Sequence, residues 1–122
     1  LGLKLISRMI EKGDYIDNLV SLKNVKLEWA KLALPDSSVI ELLKYHSHPT
    51  LINNPNYHQN ANRIGCSHIA FTVSNIQQTT DYICSNGGSI KNKYQISPDG
   101  NVKVAYCYDI EGNILEIVEK LI

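Results

Sequence analysis

Residues 30–44 lie over residues 105–119 without a gap, 75 positions apart, so that Val39-Ile40-Glu41-Leu42-Leu43 pairs with Ile114-Leu115-Glu116-Ile117-Val118. Each stretch reads as strand, turn, strand, which calls for two halves of like structure. Each copy also places one carboxylate at the same point of an otherwise apolar last strand. Burying a charge in such a strand is costly unless it is paired or bound to a metal. Meeting that cost twice, at repeat-related positions, marks Glu41 and Glu116 as candidate site residues.

The second half has the clearer pattern. Residues 68–73 alternate, with Ile69, Phe71 and Val73 on one face and His68, Ala70 and Thr72 on the other. Ser74 to Gln77 has the S-x-x-Q form of a capping box. Ile76, Thr79, Thr80, Ile83 and Cys84 follow at helical spacing, and Gly87-Gly88 stops the helix. Strands are predicted over 90–95, 102–108 and 114–121, with turns at 97–100 and 109–113. This half is a βαβββ module.

The first half fits the last three strands of that module, over 3–9, 25–34 and 39–45, with a turn at 35–38. Its opening strand and helix have no match, so the counterpart of His68 is expected upstream of residue 1, as in a chain whose start is truncated or disordered. The predicted organisation is an incomplete module over 1–45, a linker over 46–64 rich in Asn, Pro and His, and a complete module over 65–122. The spacing from Gly2 to Glu41 exceeds that from Gly88 to Glu116 by 11 residues. The excess is placed near 11–22, either as a lid that contacts substrate or as a surface loop covering a sheet edge.

Composition narrows the partners. Twelve Lys and Arg balance twelve Asp and Glu, with no basic block, which argues against nucleic acid and anionic membrane surfaces. Cys66, Cys84 and Cys107 form no Cys-x-x-Cys pair, a pattern of buried thiols in a reducing, cytoplasmic setting rather than of a disulfide framework. No apolar run approaches the ~20 residues of a membrane span, and the first residues do not read as a signal peptide.

Paired βαβββ modules, a strand reading His-Ile-Ala-Phe-Thr-Val at the head of the second, and last strands reading VIELLKY and NILEIVEK resemble the vicinal oxygen chelate superfamily. That superfamily includes glyoxalase I, methylmalonyl-CoA epimerase, extradiol dioxygenases, fosfomycin-modifying enzymes and bleomycin-binding proteins. The resemblance implies an α+β fold of paired βαβββ modules in a curled, partly open barrel sheet, the first module lacking its opening strand and helix. It also implies a cleft between the halves and a homodimer. By match to the family motifs, His68 and Glu116 correspond to the second module's metal ligands and Glu41 to the carboxylate ligand of the first.

Two imidazoles and two carboxylates suit zinc, nickel, cobalt or iron. The implied activity is that of a glyoxalase-like, metal-dependent lyase or isomerase, akin to lactoylglutathione lyase, on a small substrate with adjacent oxygens and an enediolate-type intermediate. Glu116 is the candidate base, since a carboxylate in a dry cleft gains basicity. A metal-free antibiotic-binding protein of the bleomycin-resistance type and an extradiol-type dioxygenase are the alternatives. The acid at Glu41 favours the lyase class, because dioxygenase sites need one carboxylate only. A purely structural module has no positive feature in its favour.

Other residues are weighed against simpler roles. Glu41 and Glu116 each share a face with apolar neighbours and are expected to point into an apolar interior, whereas Glu119 falls on the opposite face and is expected to be solvated. His46 and His48 are read as surface histidines of the linker. Tyr106 and Tyr108 either line the cleft or fill the sheet, and Cys107 is a small buried hydrophobe. Arg8 and Arg63 are the only arginines, too few for a glutathione-binding set.

Overall fold

The computed structural model describes residues 2–49, 58–62 and 64–121. Of the predicted linker, residues 50–57 and 63 lie outside the described residues. The chain divides into two compact units, Leu1–Leu51 and Ile52–Ile122. No helix among the described residues is long and apolar enough to cross a membrane.

The first unit is an antiparallel sheet of β1 (Lys4–Glu11), β2 (Leu27–Ala33) and β3 (Val39–Tyr45) in the order β1-β2-β3, with helix α1 (Asp14–Val20) between the first two strands. A bulge at Ile6 shifts the β1 register between Leu5 and Ser7. The β2–β3 turn closes where Leu34 N–H bonds Ser38 O at 2.9 Å and the Asp36 carboxylate takes Ser38 N–H at 3.0 Å. The 11-residue excess is a short helix rather than an irregular loop in this unit. Its apolar positions form α1, and Ile16 is buried with Val25 and Leu27, with Val20 and Tyr45 packed against them. Asp17 secures the return of the chain by accepting from Asn24 N–H at 2.8 Å and Val25 N–H at 2.9 Å.

The second unit is a mixed sheet of β4 (His68–Val73), β5 (Ser89–Ile90), β6 (Gln95–Ile96), β7 (Val102–Tyr108) and β8 (Ile114–Lys120). The order is β4-β8-β7-β5, and β6 also pairs with β7. Strand β4 runs parallel to β8, which requires a crossover, and helix α2 (Ile76–Ser85) supplies it. One sheet face carries Phe71, Val73, Ala105, Cys107, Leu115 and Ile117, and Ile76 and Ile83 of α2 pack on it. Ile76, Cys107 and Ile117 are essentially inaccessible to solvent. Each of the two isoleucines contributes about 1.5–3 kcal/mol by leaving water.

Four local predictions are corrected. The helix cap is Asn75, one residue later than the expected Ser74, and its side chain accepts from Gln78 N–H at 2.8 Å. The strand expected over 90–95 is two short pieces, β5 and β6, which pair with different parts of β7. Glu119 is not solvated: on the helix-facing side of β8 it accepts from Ile76 N–H at 2.7 Å and from Lys103 Nζ at 3.0 Å. It thus satisfies a free N–H of the first helical turn. Of the three free cysteines only Cys107 is buried, while Cys66 and Cys84 are exposed. Burial pushes the Cys107 thiol up to about 11.

Gly87-Gly88 ends α2 as expected. Gly87 has φ +90, and Gly88 leaves no room for a side chain, since a Cβ there would lie 2.5 Å from Tyr108 O and 2.6 Å from Ile83 Cγ2.

Candidate functional site

The face of the second sheet turned away from α2 carries the chemistry. Strand alternation puts His68 and Ala70 of β4, Ile114 and Glu116 of β8, and Tyr106 and Tyr108 of β7 on this side. Ala70 is the register partner of Glu116. Its methyl leaves the space through which the carboxylate reaches His68, and His68 Nε2 lies 3.1 Å from Glu116 Oε2. Tyr106, paired with Glu116 across β7 and β8, sets its ring 5.4 Å from that of His68. The two side chains retain 31% and 22% exposure, so the pair is open to a small molecule.

Ser67 holds the other edge of the imidazole, with its Oγ 2.8 Å from His68 Nδ1. A hydroxyl can donate or accept. The same geometry therefore serves two states, one with Nε2–H donating to Glu116 and one with an Nε2 lone pair facing a cation beside the carboxylate. Two donors of one divalent ion, each at about 2.0–2.2 Å, sit roughly 2.8–3.6 Å apart, the lower part of that range for octahedral and the upper for tetrahedral angles. The observed spacing falls in that interval, so an imidazole and a carboxylate stand ready as two ligands. No group of three or more His, Cys, Asp or Glu side chains suited to a metal occurs among the described residues.

Beside this pair, Tyr108 is buried, with His58 stacked flat on its ring at 4.1 Å and Lys91 Nζ donating to its hydroxyl at 2.6 Å. The Tyr108 hydroxyl donates in turn to Gln59 O at 3.3 Å. Gln59 is held by Gly112 O and Asn113 Oδ1. Residues 58 and 59, predicted as linker, thus dock on the β7–β8 hairpin. Sequence reasoning left both tyrosines undecided and passed over Lys91; period-two counting back from Tyr106 along β7 was the available signal for the tyrosines.

Glu41, in the first unit, stands opposite Lys31 on the face it shares with Trp29 and Leu43. Lys31 Nζ is 3.9 Å away, and the Glu41 side chain is 43% exposed. The expected apolar interior is therefore not what surrounds it within its own unit. The other face of this sheet holds a carboxylate that the sequence did not single out. Glu28 is bonded by Arg8, and its Oε2 lies 2.7 Å from His46 Nε2. Hydrogen bonding from His46 first, and then from Arg8, holds the Glu28 carboxyl below its usual value. His46 is therefore a surface histidine, as expected, that is bonded to the sheet.

A cavity of about 590 Å³ in the second unit lies on the opposite side of the sheet, between α2 and residues 92–95, and is lined by Gln77, Thr80, Tyr94 and Ala105 among others. It contains none of the acid–imidazole chemistry.

No family model matches the sequence, and no curated protein matches it. Solved structures do match it. A glyoxalase family protein from Bacillus cereus is 23% identical and superposes with a TM-score of 0.84 over 98% of this chain and 79% of its own. The chain has the glyoxalase-type fold. A glyoxylase/bleomycin resistance protein/dioxygenase domain from Frankia shares 17% identity with a TM-score of 0.60, covering 98% of this chain and 75% of its own. A glyoxalase family protein from Enterococcus faecalis gives 17% and 0.60, over 97% and 79%. The sequence-based expectation of an α+β fold of this type is met. In this glyoxalase-type fold the His68–Glu116 pair lies on the sheet face that carries no helix of its own unit.

Proposed function

We propose that the protein is a glyoxalase-like, metal-dependent lyase or isomerase that moves a proton between neighbouring carbons of a small substrate with adjacent oxygens. The observation that supports it most is the 3.1 Å approach of His68 Nε2 to Glu116 Oε2 on an accessible sheet face. His68 and Glu116 would hold a divalent metal such as zinc, nickel, cobalt or iron. Glu41 is a further candidate ligand on its repeat-related position alone. When bound, such an ion supplies Lewis acidity toward adjacent substrate oxygens.

The residues of the chain do the rest. Glu116 is placed to take a proton from the substrate carbon and return it to the neighbouring one. Ser67 fixes the imidazole plane of His68, and the Tyr106 ring walls the pair from bulk water on the β7 side. A cytoplasmic setting fits the three unpaired cysteines, and a homodimer is the proposed assembly.

The test is metal content of the purified chain together with proton exchange on hydroxyacetone in deuterated water, followed by NMR. Metal should co-purify, and exchange should depend on it and disappear in Glu116→Gln. A chain without divalent metal, or a fully active Glu116→Gln, removes the lyase reading and leaves a metal-free binding role.

A further inference from the structure

The face that carries His68 and Glu116 also carries a lysine ammonium that no acid among the described residues pairs with. Lys91 follows β5 directly, and its N–H bonds Tyr106 O at 2.8 Å, so it continues the β5–β7 pairing beyond Ile90 and Cys107. That register puts Lys91 in line with Tyr106 and Glu116, on their side of the sheet. Its ammonium is fixed by the Tyr108 hydroxyl at 2.6 Å and lies 5.1 Å from the centre of the Tyr108 ring. Tyr108 is itself held by His58 and Gln59.

Among the described residues no carboxylate lies within ion-pair distance of Lys91, as for most of the other lysines; what sets Lys91 apart is its anchoring by a buried phenol on the face that carries Glu116. An ammonium has three N–H donors. The phenol takes one and cannot neutralise the charge. Lys91 is exposed, so its two other donors face water, while the buried Tyr108 holds the ammonium in place; a fixed, accessible positive charge of this kind can take an anion.

We propose that Lys91, positioned by Tyr108, binds an anionic substituent of the substrate, a carboxylate or a phosphate. Two inter-strand steps separate Lys91 from Glu116 along the row, which is about 10 Å between their Cα atoms. The anionic group therefore stands a few bonds from the adjacent oxygens rather than being one of them. This deepens the reading of the preceding subsection by assigning the substrate a charge. It relies on that reading only for what happens at His68 and Glu116.

The experiment titrates the full chain, without added metal, with malonate and separately with inorganic phosphate, and reads the ring resonances of Tyr106 and Tyr108 by NMR. Saturable shifts are expected. Lys91→Met should weaken the tighter of the two anions at least tenfold, and Lys91→Arg should keep it within a few-fold. Tighter malonate assigns a carboxylate-bearing substrate, and tighter phosphate a phosphorylated one. No saturable binding of either anion, or equal affinity in Lys91→Met, overturns the proposal. Because the titration is done without metal, a chain that never takes up metal would defeat the lyase reading while leaving this result standing, and the reverse holds if metal binds but Lys91→Met changes nothing.

Discussion

The two repeats carry the same acid at the same strand position and give it different surroundings. Glu116 has a tyrosine across the sheet, an alanine on the neighbouring parallel strand and an imidazole at 3.1 Å. Glu41 has a lysine across the sheet and remains nearly half exposed. The cause lies in β4 and α2. That strand and helix deliver His68 to one side of the second sheet and bury Ile76 against the other. In the first unit the described residues supply α1 instead, which covers only the end of the sheet near Leu27 and Tyr45. Leu5, Met9, Leu42 and Leu43 stay more than half exposed. A repeated strand motif thus sets where a functional group stands, and its neighbours determine what that group can do.

The contrast is tested most severely through the cores. Ile117→Ala should destabilise the second unit by about 2–5 kcal/mol, because nothing around a sealed β8 position can collapse into the space. Ile16→Ala should do the same to the first unit, while Leu43→Ala should cost less than about 1 kcal/mol. Chemical denaturation of the three variants reads these values, and an Ile117 cost as small as that of Leu43 would break the comparison.

Next in size is the asymmetry of the acids. Glu116→Gln should weaken binding of nickel or zinc, measured by calorimetry, by well over tenfold, about 1.4 kcal/mol or more. Glu41→Gln should weaken it less. Equal losses would show the two acids to be equivalent despite their different neighbours.

Asp17→Ala removes the acceptor of two loop N–H groups and should cost the first unit about 2 kcal/mol. Denaturant unfolding of that variant checks the figure.

The smallest effect concerns Glu119. Hydrogen bonding from Ile76 N–H, and then from Lys103, holds its carboxyl below the ordinary value of 4.5. Its contribution is therefore complete above that value and lost as pH falls through the lowered one. The Tm of the native chain should drop more steeply on acidification below pH 4.5 than that of Glu119→Gln, which should begin lower at neutral pH. Parallel Tm–pH curves would show that Glu119 does not cap α2.

Much of this was legible before folding, and particular residues show why. The alternation of residues 68–73 and 114–120 assigned His68 and Glu116 to their faces, since a strand has only two sides. The helix over 76–85 followed from the spacing of its apolar residues and its stop from the Gly87-Gly88 pair; the close approach of Gly88 to Tyr108 appeared only in the structure. What failed were choices among near-equivalent local options. Asn75 and Ser74 are both good caps, and which one serves depends on how β4 ends. Glu119 reads as a solvent-facing acid until α2 brings an unpaired N–H of Ile76 to it. Glu28, Arg8 and His46 are far apart in sequence, and their cluster exists only once the β1–β2–β3 register is fixed.

By itself, the sequence determined the repeat, the succession of strand, helix and strands in the second half and the side of each strand on which the ionisable groups stand. Periodicity and turn chemistry act over a few residues, so these features are written locally. Tertiary structure alone decided that His68 meets Glu116, that Tyr108 holds Lys91 in line with them, and that Glu41 faces Lys31 instead of an imidazole. Those outcomes depend on which strands become neighbours and in what register, and pairings between distant residues carry no local sign of their partner.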